Sequence, residues 1–316
     1  MSITINGKPL DDPARIYVIA EISGNHNQDY HQAERLVEAA AAAGADAVKL
    51  QTFESSEICA DIPFPYGHDV AHDAWARKLG VVGMRDLFKL GGFPRQWHAS
   101  LKKFAESCGI TLLSTPFSVD AARFLVEEIG VPALKIASGD LTFTPLLEYA
   151  ASAGVPVIMS TGGATMDEVR EAMRIFDDAE YCPVVLHCLS VYPCEEAIVN
   201  LRALKTISRL LDCPVGFSDH TLSYGIVPAV AAATGECCVY EKHVTLKRSD
   251  GGVDAAHSLE PHEFKAMVDV LRRVPTILGT GIKEPHPLEM HDRLFARRDP
   301  SDWLRPQMRG REGAWE

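Results

Sequence analysis

Two lysines stand where a charge is unfavourable. Lys49 lies inside the apolar run 47–53 and Lys135 inside the run 133–138. An unpaired ammonium in such a setting costs several kcal/mol. Two of them converging on one pocket call for an anion. The hydroxyls of Ser114, Thr115, Ser138, Ser160 and Thr161, with the glycine turn 161–163, add donors suited to a phosphate and a carboxylate. The alternative, for either lysine alone, is a structural ion pair with a buried acid such as Glu21. His220 and His243 follow two successive apolar runs. Neutral imidazoles suit a borderline divalent cation, and two protein ligands leave positions open for substrate and water. The alternative is a pair of hydrogen-bonded core histidines. His187 is a candidate third member whose direction the sequence leaves open. Glu21, Asp140 and Asp254 are candidates for acid–base work or for binding sugar hydroxyls, or else neutralise the lysines.

These residues need elements to carry them. Eight short apolar runs alternate with amphipathic helical patterns: 17–22, 47–53, 110–115, 133–138, 156–161, 183–188, 214–218 and 238–244. Such alternation predicts βαβ units and a parallel sheet. Eight units are enough to close a (β/α)8 TIM barrel, whose strands, covered on both faces, read as continuous apolar runs. Barrel enzymes draw their sites from the C-terminal ends of strands, where the candidate residues fall. Residues 1–14 read as a small hairpin that could plug the barrel bottom. The barrel domain is expected over 1–284, with 285–316 a short irregular tail and no separate domain. Segment 54–93, with Pro63, Pro65 and Gly91-Gly92, reads as a lid or substrate loop.

Bulk properties narrow the class. The 316 residues are 47% hydrophobic and 23% charged, and the formal charge is -12. That balance argues against nonspecific nucleic-acid binding. No basic leader with an apolar core opens the chain, and no apolar run is long enough to span a bilayer. A cytoplasmic protein is expected. The eight cysteines include no CxxC pair and read as small buried hydrophobes in a reducing compartment.

The chain resembles the sialic acid synthase family, the phosphoenolpyruvate-dependent N-acetylneuraminate synthases and their relatives. The stretches that carry the likeness are AEISGNHN (20–27), GADAVKLQTF (44–53), STPFS (114–118), KIASGD (135–140), STGGAT (160–165), LHCLSVYP (186–193), VGFSDHT (215–221), EKHVTL (241–246) and SLEP (258–261). They run in order from about residue 16 to 300.

The resemblance implies a phosphoenolpyruvate site of Lys49, Thr115, Lys135, Ser138, Ser160, Ser190 and Ser218. It implies manganese or magnesium on His220 and His243, and an acceptor sugar meeting Gln51, Asp140, Tyr192 and Asp254. Catalysis would fall to Glu21, Lys49, Lys135 and Asp254. The product would be a 3-deoxy-2-keto sugar acid plus phosphate, made by a metal-dependent carbon–carbon bond-forming transferase, with a homodimer as the expected assembly. Three positions depart from the family pattern. Asp140 replaces a usual Glu, Gln28 follows Asn27 in place of Gly, and Leu189-Ser190 replaces a more polar pair. Synthases of this family also carry a C-terminal antifreeze-like domain that contacts the acceptor's N-acyl group, and residues 294–316 are too short for it. An acceptor other than N-acetylmannosamine is therefore expected. Arg305, Arg309 or Arg311 could cap a partner's site, or belong to a frayed basic tail. Two other readings are a pyruvate-type aldolase or lyase working through a Schiff-base lysine or a metal enolate, and a non-catalytic barrel that binds a sugar phosphate.

Overall fold

The period-two alternation of each apolar run sorts its side chains between two interiors. The computed structural model describes residues 3–61, 80–81 and 83–307. Strands β3 (Tyr17–Glu21), β4 (Ala47–Thr52), β5 (Thr111–Pro116), β6 (Leu134–Ile136), β7 (Val157–Ser160), β8 (Val184–Cys188), β9 (Val215–Asp219) and β10 (Cys237–His243) close into one parallel barrel, with β10 pairing both β9 and β3. Val18, Ala20, Val48, Leu50, Leu134, Ile136, Met159 and Phe217 face outward and join the core shared with the helices. Tyr17, Ile19, Ala47, Leu113, Ala133, Ile158, Val184, Leu186 and Val239 face inward and form a second core. Each fully buried aliphatic side chain contributes roughly 1.5–3 kcal/mol, so both faces of every strand hold the register.

The helices between strands follow ordinary local rules. Helix Tyr30–Ala42 starts at Asp29, whose carboxylate accepts from the amides of His31 and Gln32. It buries Ala33, Leu36, Val37 and Ala40, one stripe at helical spacing. Helix Met166–Arg174 opens with a capping box of Thr165 and Glu168. Between β5 and β6 an α-helix, Val119–Arg123, widens into a π-helical stretch, Phe124–Ile129.

The N-terminal residues form the expected hairpin, β1 (Thr4–Ile5) paired with β2 (Lys8–Pro9). Its Ile3 and Ile5, with Leu10, belong to the inward core and seat the hairpin against the barrel interior. Within 54–93 stand two helices, Ser55–Ile58 and Met84–Gly91. The remainder of that expected lid, 62–79 with 82, lies outside the described residues. The chain divides after Ile277 into two compact units. The second, aperiodic in sequence, contains the helix Met290–Ala296. Of Arg305, Arg309 and Arg311, only Arg305 lies within the described residues.

Candidate functional site

The same alternation that fills the barrel sends polar side chains to its open end. One residue after each inward apolar position, counting in steps of two, comes Glu21 on β3, Lys49 and Gln51 on β4, Thr115 on β5, Lys135 on β6, Ser160 on β7, Ser218 on β9, and Glu241 with His243 on β10. These residues, with Ser138, Cys188, Ser190, Tyr192 and His220 from the strand ends and following loops, line one cavity of about 370 Å³. Phe88 and Phe117 complete its rim. A Cβ at Gly162 would lie 2.5 Å from Ser190 Oγ and 3.0 Å from Ser138 Oγ. Glycine leaves room for those hydroxyls over the turn, whose Gly162 amide donates to Ser138 Oγ at 2.9 Å.

Both lysines face the cavity, and both have partners. Lys49 Nζ contacts the Glu21 carboxylate and donates to Thr115 Oγ1 at 2.9 Å. Lys135 Nζ donates to Ser160 Oγ at 2.6 Å and to the Ile136 carbonyl at 2.9 Å. Glu241 stands between them, 3.9 Å from each ammonium, and accepts from Ser218 Oγ at 3.1 Å. The ion-pair alternative for Lys49 is thus realised, and Lys135 shares a carboxylate at longer range. Two acids balance two bases in the pocket. Glu241 faces inward two residues before His243, in a polar triplet whose facing the sequence alone leaves open. Its Oε2 is buried without a hydrogen-bond partner among the described residues.

Burial sets the proton affinities. It pushes the Glu21 carboxyl up to about 7, opposed by Lys49 and reinforced by Glu241. Lys49 is held above its ordinary value, because Glu21 and Glu241 outweigh the burial that opposes its charge. Burial lowers Lys135 despite Glu241. Burial raises Asp140 to about 6, against the pull of Lys135. Glu21 is fixed by Ser23, whose amide and hydroxyl donate to its Oε1 at 2.8 and 2.6 Å.

The imidazoles gather on one side of the mouth. Burial lowers His220 to about 4, and its Nδ1 lies 2.7 Å from the Leu189 carbonyl. That contact assigns the proton to Nδ1 and leaves Nε2 as a lone pair. The rings of His220 and His243 stand 5.5 Å apart between centroids. Burial also holds His243 well below its usual range. After β10 the chain leaves and returns: Thr245 donates to the Leu259 carbonyl at 3.0 Å, and Leu259 to the His243 carbonyl at 2.9 Å. This return brings Asp254 and His257 back beside His243. One donor atom from each of the three lies within 4.8 Å of the others. Donors on one tetrahedral ion with bonds of about 2.0–2.2 Å stand about 3.3–3.6 Å apart, so a divalent cation fits after a closure of at most about 1.5 Å. His257 carried no periodic signal in the sequence.

Several polar residues of the strands and their ends do not line the cavity. Two are hydroxyls expected to bind the anion: Ser114 Oγ lies 2.6 Å from Thr52 Oγ1 on the outward face, and Thr161 Oγ1 donates to the Leu186 carbonyl at 3.0 Å. His187 faces outward, stacked on Phe217 with a ring nitrogen 2.8 Å from the Val199 carbonyl. Lys242 also faces outward, bonded to Asp219 Oδ2 at 2.7 Å and to the Thr221 carbonyl. Asp140 and Asp254 are not among the residues that line the cavity, and Asp254 Oδ2 accepts from the Gly24 amide at 3.2 Å. All eight cysteines are free thiols. Among the described residues no helix is long and apolar enough to cross a membrane.

Known proteins share this arrangement of elements. The N,N'-diacetyllegionaminic acid synthase of Legionella pneumophila is 37% identical over 304 residues, 93% of this chain and 82% of its own. The pseudaminic acid synthase of Campylobacter jejuni is 31% identical over 90% of this chain and 80% of its own. The crystal structure of N-acetylneuraminic acid synthetase from Leptospira borgpetersenii, solved with citrate, superposes with a TM-score of 0.79 at 32% identity. That match covers 92% of this chain and 95% of that one. Residues 36–283 match the NeuB family, and with strands, cavity and relatives in agreement, the chain belongs to the NeuB family of sugar-acid synthases.

Proposed function

We propose that this protein condenses phosphoenolpyruvate with an open-chain aldehyde sugar, giving a 3-deoxy-2-keto sugar acid and inorganic phosphate. The carrying observation is one cavity in which two buried ammonium groups and several hydroxyls face two imidazoles. Lys135, held by Ser160 and a backbone carbonyl, offers its charge to the phosphate and favours its departure. Lys49 and Thr115 bind beside it. Ser138, Ser160, Ser190 and Ser218 supply the remaining donors for phosphate and carboxylate.

C3 of phosphoenolpyruvate attacks the aldehyde carbon, whose oxygen takes up a proton and becomes a hydroxyl; water adds at C2, and the tetrahedral adduct collapses to the ketone as its C–O bond to phosphate breaks. Glu21, its Oε1 pinned by Ser23 and its affinity poised near neutrality, takes the proton of that water. Gln51, whose amide donates to Ser23 Oγ at 3.0 Å, and Tyr192 meet the acceptor, with Asp140 and Asp254 outside the lining. Manganese or magnesium on His220 and His243 would polarise the aldehyde as a Lewis acid. A cytoplasmic homodimer belongs to the same reading.

Phosphate release from phosphoenolpyruvate tests it, measured with manganese and a panel of aldoses and aminosugars that includes N-acetylmannosamine. At least one acceptor is expected to give stoichiometric phosphate and keto acid. Lys135→Ala is expected to lower the rate by about 10²–10³-fold or more with the far-UV spectrum unchanged. An unaltered rate removes Lys135 from the phosphate pocket. Borohydride trapping of pyruvate on a lysine, without phosphate release, would identify a lyase instead.

A further inference from the structure

We propose that His257 is a protein ligand of the divalent cation, added to His243 and Asp254, whose donor atoms lie within 4.8 Å of its own. The inference deepens the metal reading above and rests on it. His257 is 7% exposed, and its Nε2 is buried without a hydrogen-bond partner among the described residues. The nearest acid atom, Asp254 Oδ1, is 3.4 Å away, too long for a charge-assisted hydrogen bond at its usual 2.7–2.9 Å. That long contact helps hold the Asp254 carboxyl below its ordinary value, but it leaves most of the lost hydration of a buried imidazole nitrogen without recompense. A cation shared with Asp254 and His243 supplies that recompense.

The surroundings hold the donors in place. The His257 ring stands 4.8 Å from the His243 ring at 77° and 4.9 Å from Tyr192. Asp254 Oδ2 is tied to the Gly24 amide, which leaves Oδ1 turned to His257. Asn25 Nδ2 donates to the Val244 carbonyl and to Ser258 Oγ at 2.9 and 2.8 Å, fixing both ends of the returning loop. Ser258 Oγ donates to the Asp254 carbonyl at 2.7 Å, which locks the turn between Asp254 and His257. The ligand set is therefore nitrogen-rich with one carboxylate. Such a set favours cobalt, nickel, zinc or manganese over magnesium.

Cobalt titration of the metal-free full-length protein tests this, read by calorimetry and by the d–d absorption of the bound ion, with no substrate present. His257→Ala is expected to weaken cobalt binding at least tenfold and to change the band pattern, with His243→Ala weaker still. Millimolar magnesium is expected not to displace cobalt from the wild type. If His257→Ala keeps the wild-type affinity and spectrum while His243→Ala loses them, the metal reading stands and His257 is not a ligand. If the wild type binds no cobalt, both ideas fall, and phosphate release still judges the condensation separately. Should His257→Ala fail to fold, His257→Gln keeps the bulk without the imidazole and answers by the same titration.

Discussion

At the scale of single residues, burial without a partner is the recurrent motif of the mouth, and Asp140 makes it measurable. Its Oδ2 is buried with no hydrogen bond among the described residues, and its carboxyl is raised from 3.8 to about 6. The folded chain therefore holds this proton more tightly than the unfolded chain. The resulting stability is complete below the unfolded value of 3.8 and is lost as pH rises through about 6. Asp140→Asn removes that dependence. Urea unfolding of the variant against wild type is expected to show a gain of about 1–3 kcal/mol at pH 8 that shrinks toward pH 4. Parallel stability–pH curves for the two proteins would contradict it. The lysines were legible in the sequence because a charge inside an apolar strand has few explanations. Of their carboxylate partners Glu21 was legible as a strand-end acid, but Glu241 was not, since it sits in the polar triplet Glu241-Lys242-His243, where only the barrel closure tells which two face inward.

At the scale of elements, strand alternation decides which polar residue is functional and which is structural. Lys49 and Lys242 occupy similar apolar strands, yet one faces the cavity and the other Asp219 and Tyr240 on the outer face. His187 and His220 part in the same way. Once one inward residue per strand is fixed, the rest follow by twos, so the strand part of the site was readable from sequence. The loop part was not. Asp254 and His257 are placed by long-range ties to Gly24, Asn25 and His243, which no local periodicity records. Register also rests on close packing at Gly216, where a Cβ would stand 2.2 Å from the Val239 carbonyl oxygen and 2.6 Å from Leu186 Cδ2. Gly216→Ala must push β9 from β10, the two strands that position Ser218 and Glu241. A loss of about 3 kcal/mol or more is expected in chemical unfolding, together with reduced turnover. A variant as stable as wild type would show that the strands can part without cost.

At the scale of the whole molecule, eight strands form a tube that its own N-terminus caps. Ile3, Ile5 and Leu10 pack on the inward core, far along the strands from the lysines and imidazoles. Leu10→Ala is expected to cost about 2–5 kcal/mol of stability while leaving the Kd for phosphoenolpyruvate unchanged, as calorimetry would read. A tenfold weaker Kd would mean that this end communicates with the site. The barrel itself was legible from the order and spacing of apolar runs, because each run must be covered on both faces. The hairpin floor carries a last implication. A tube closed at one end offers a single doorway, so two reactants enter and two products leave by the same passage. Whichever molecule binds deepest is the last that can depart, and the traffic through the mouth becomes a queue.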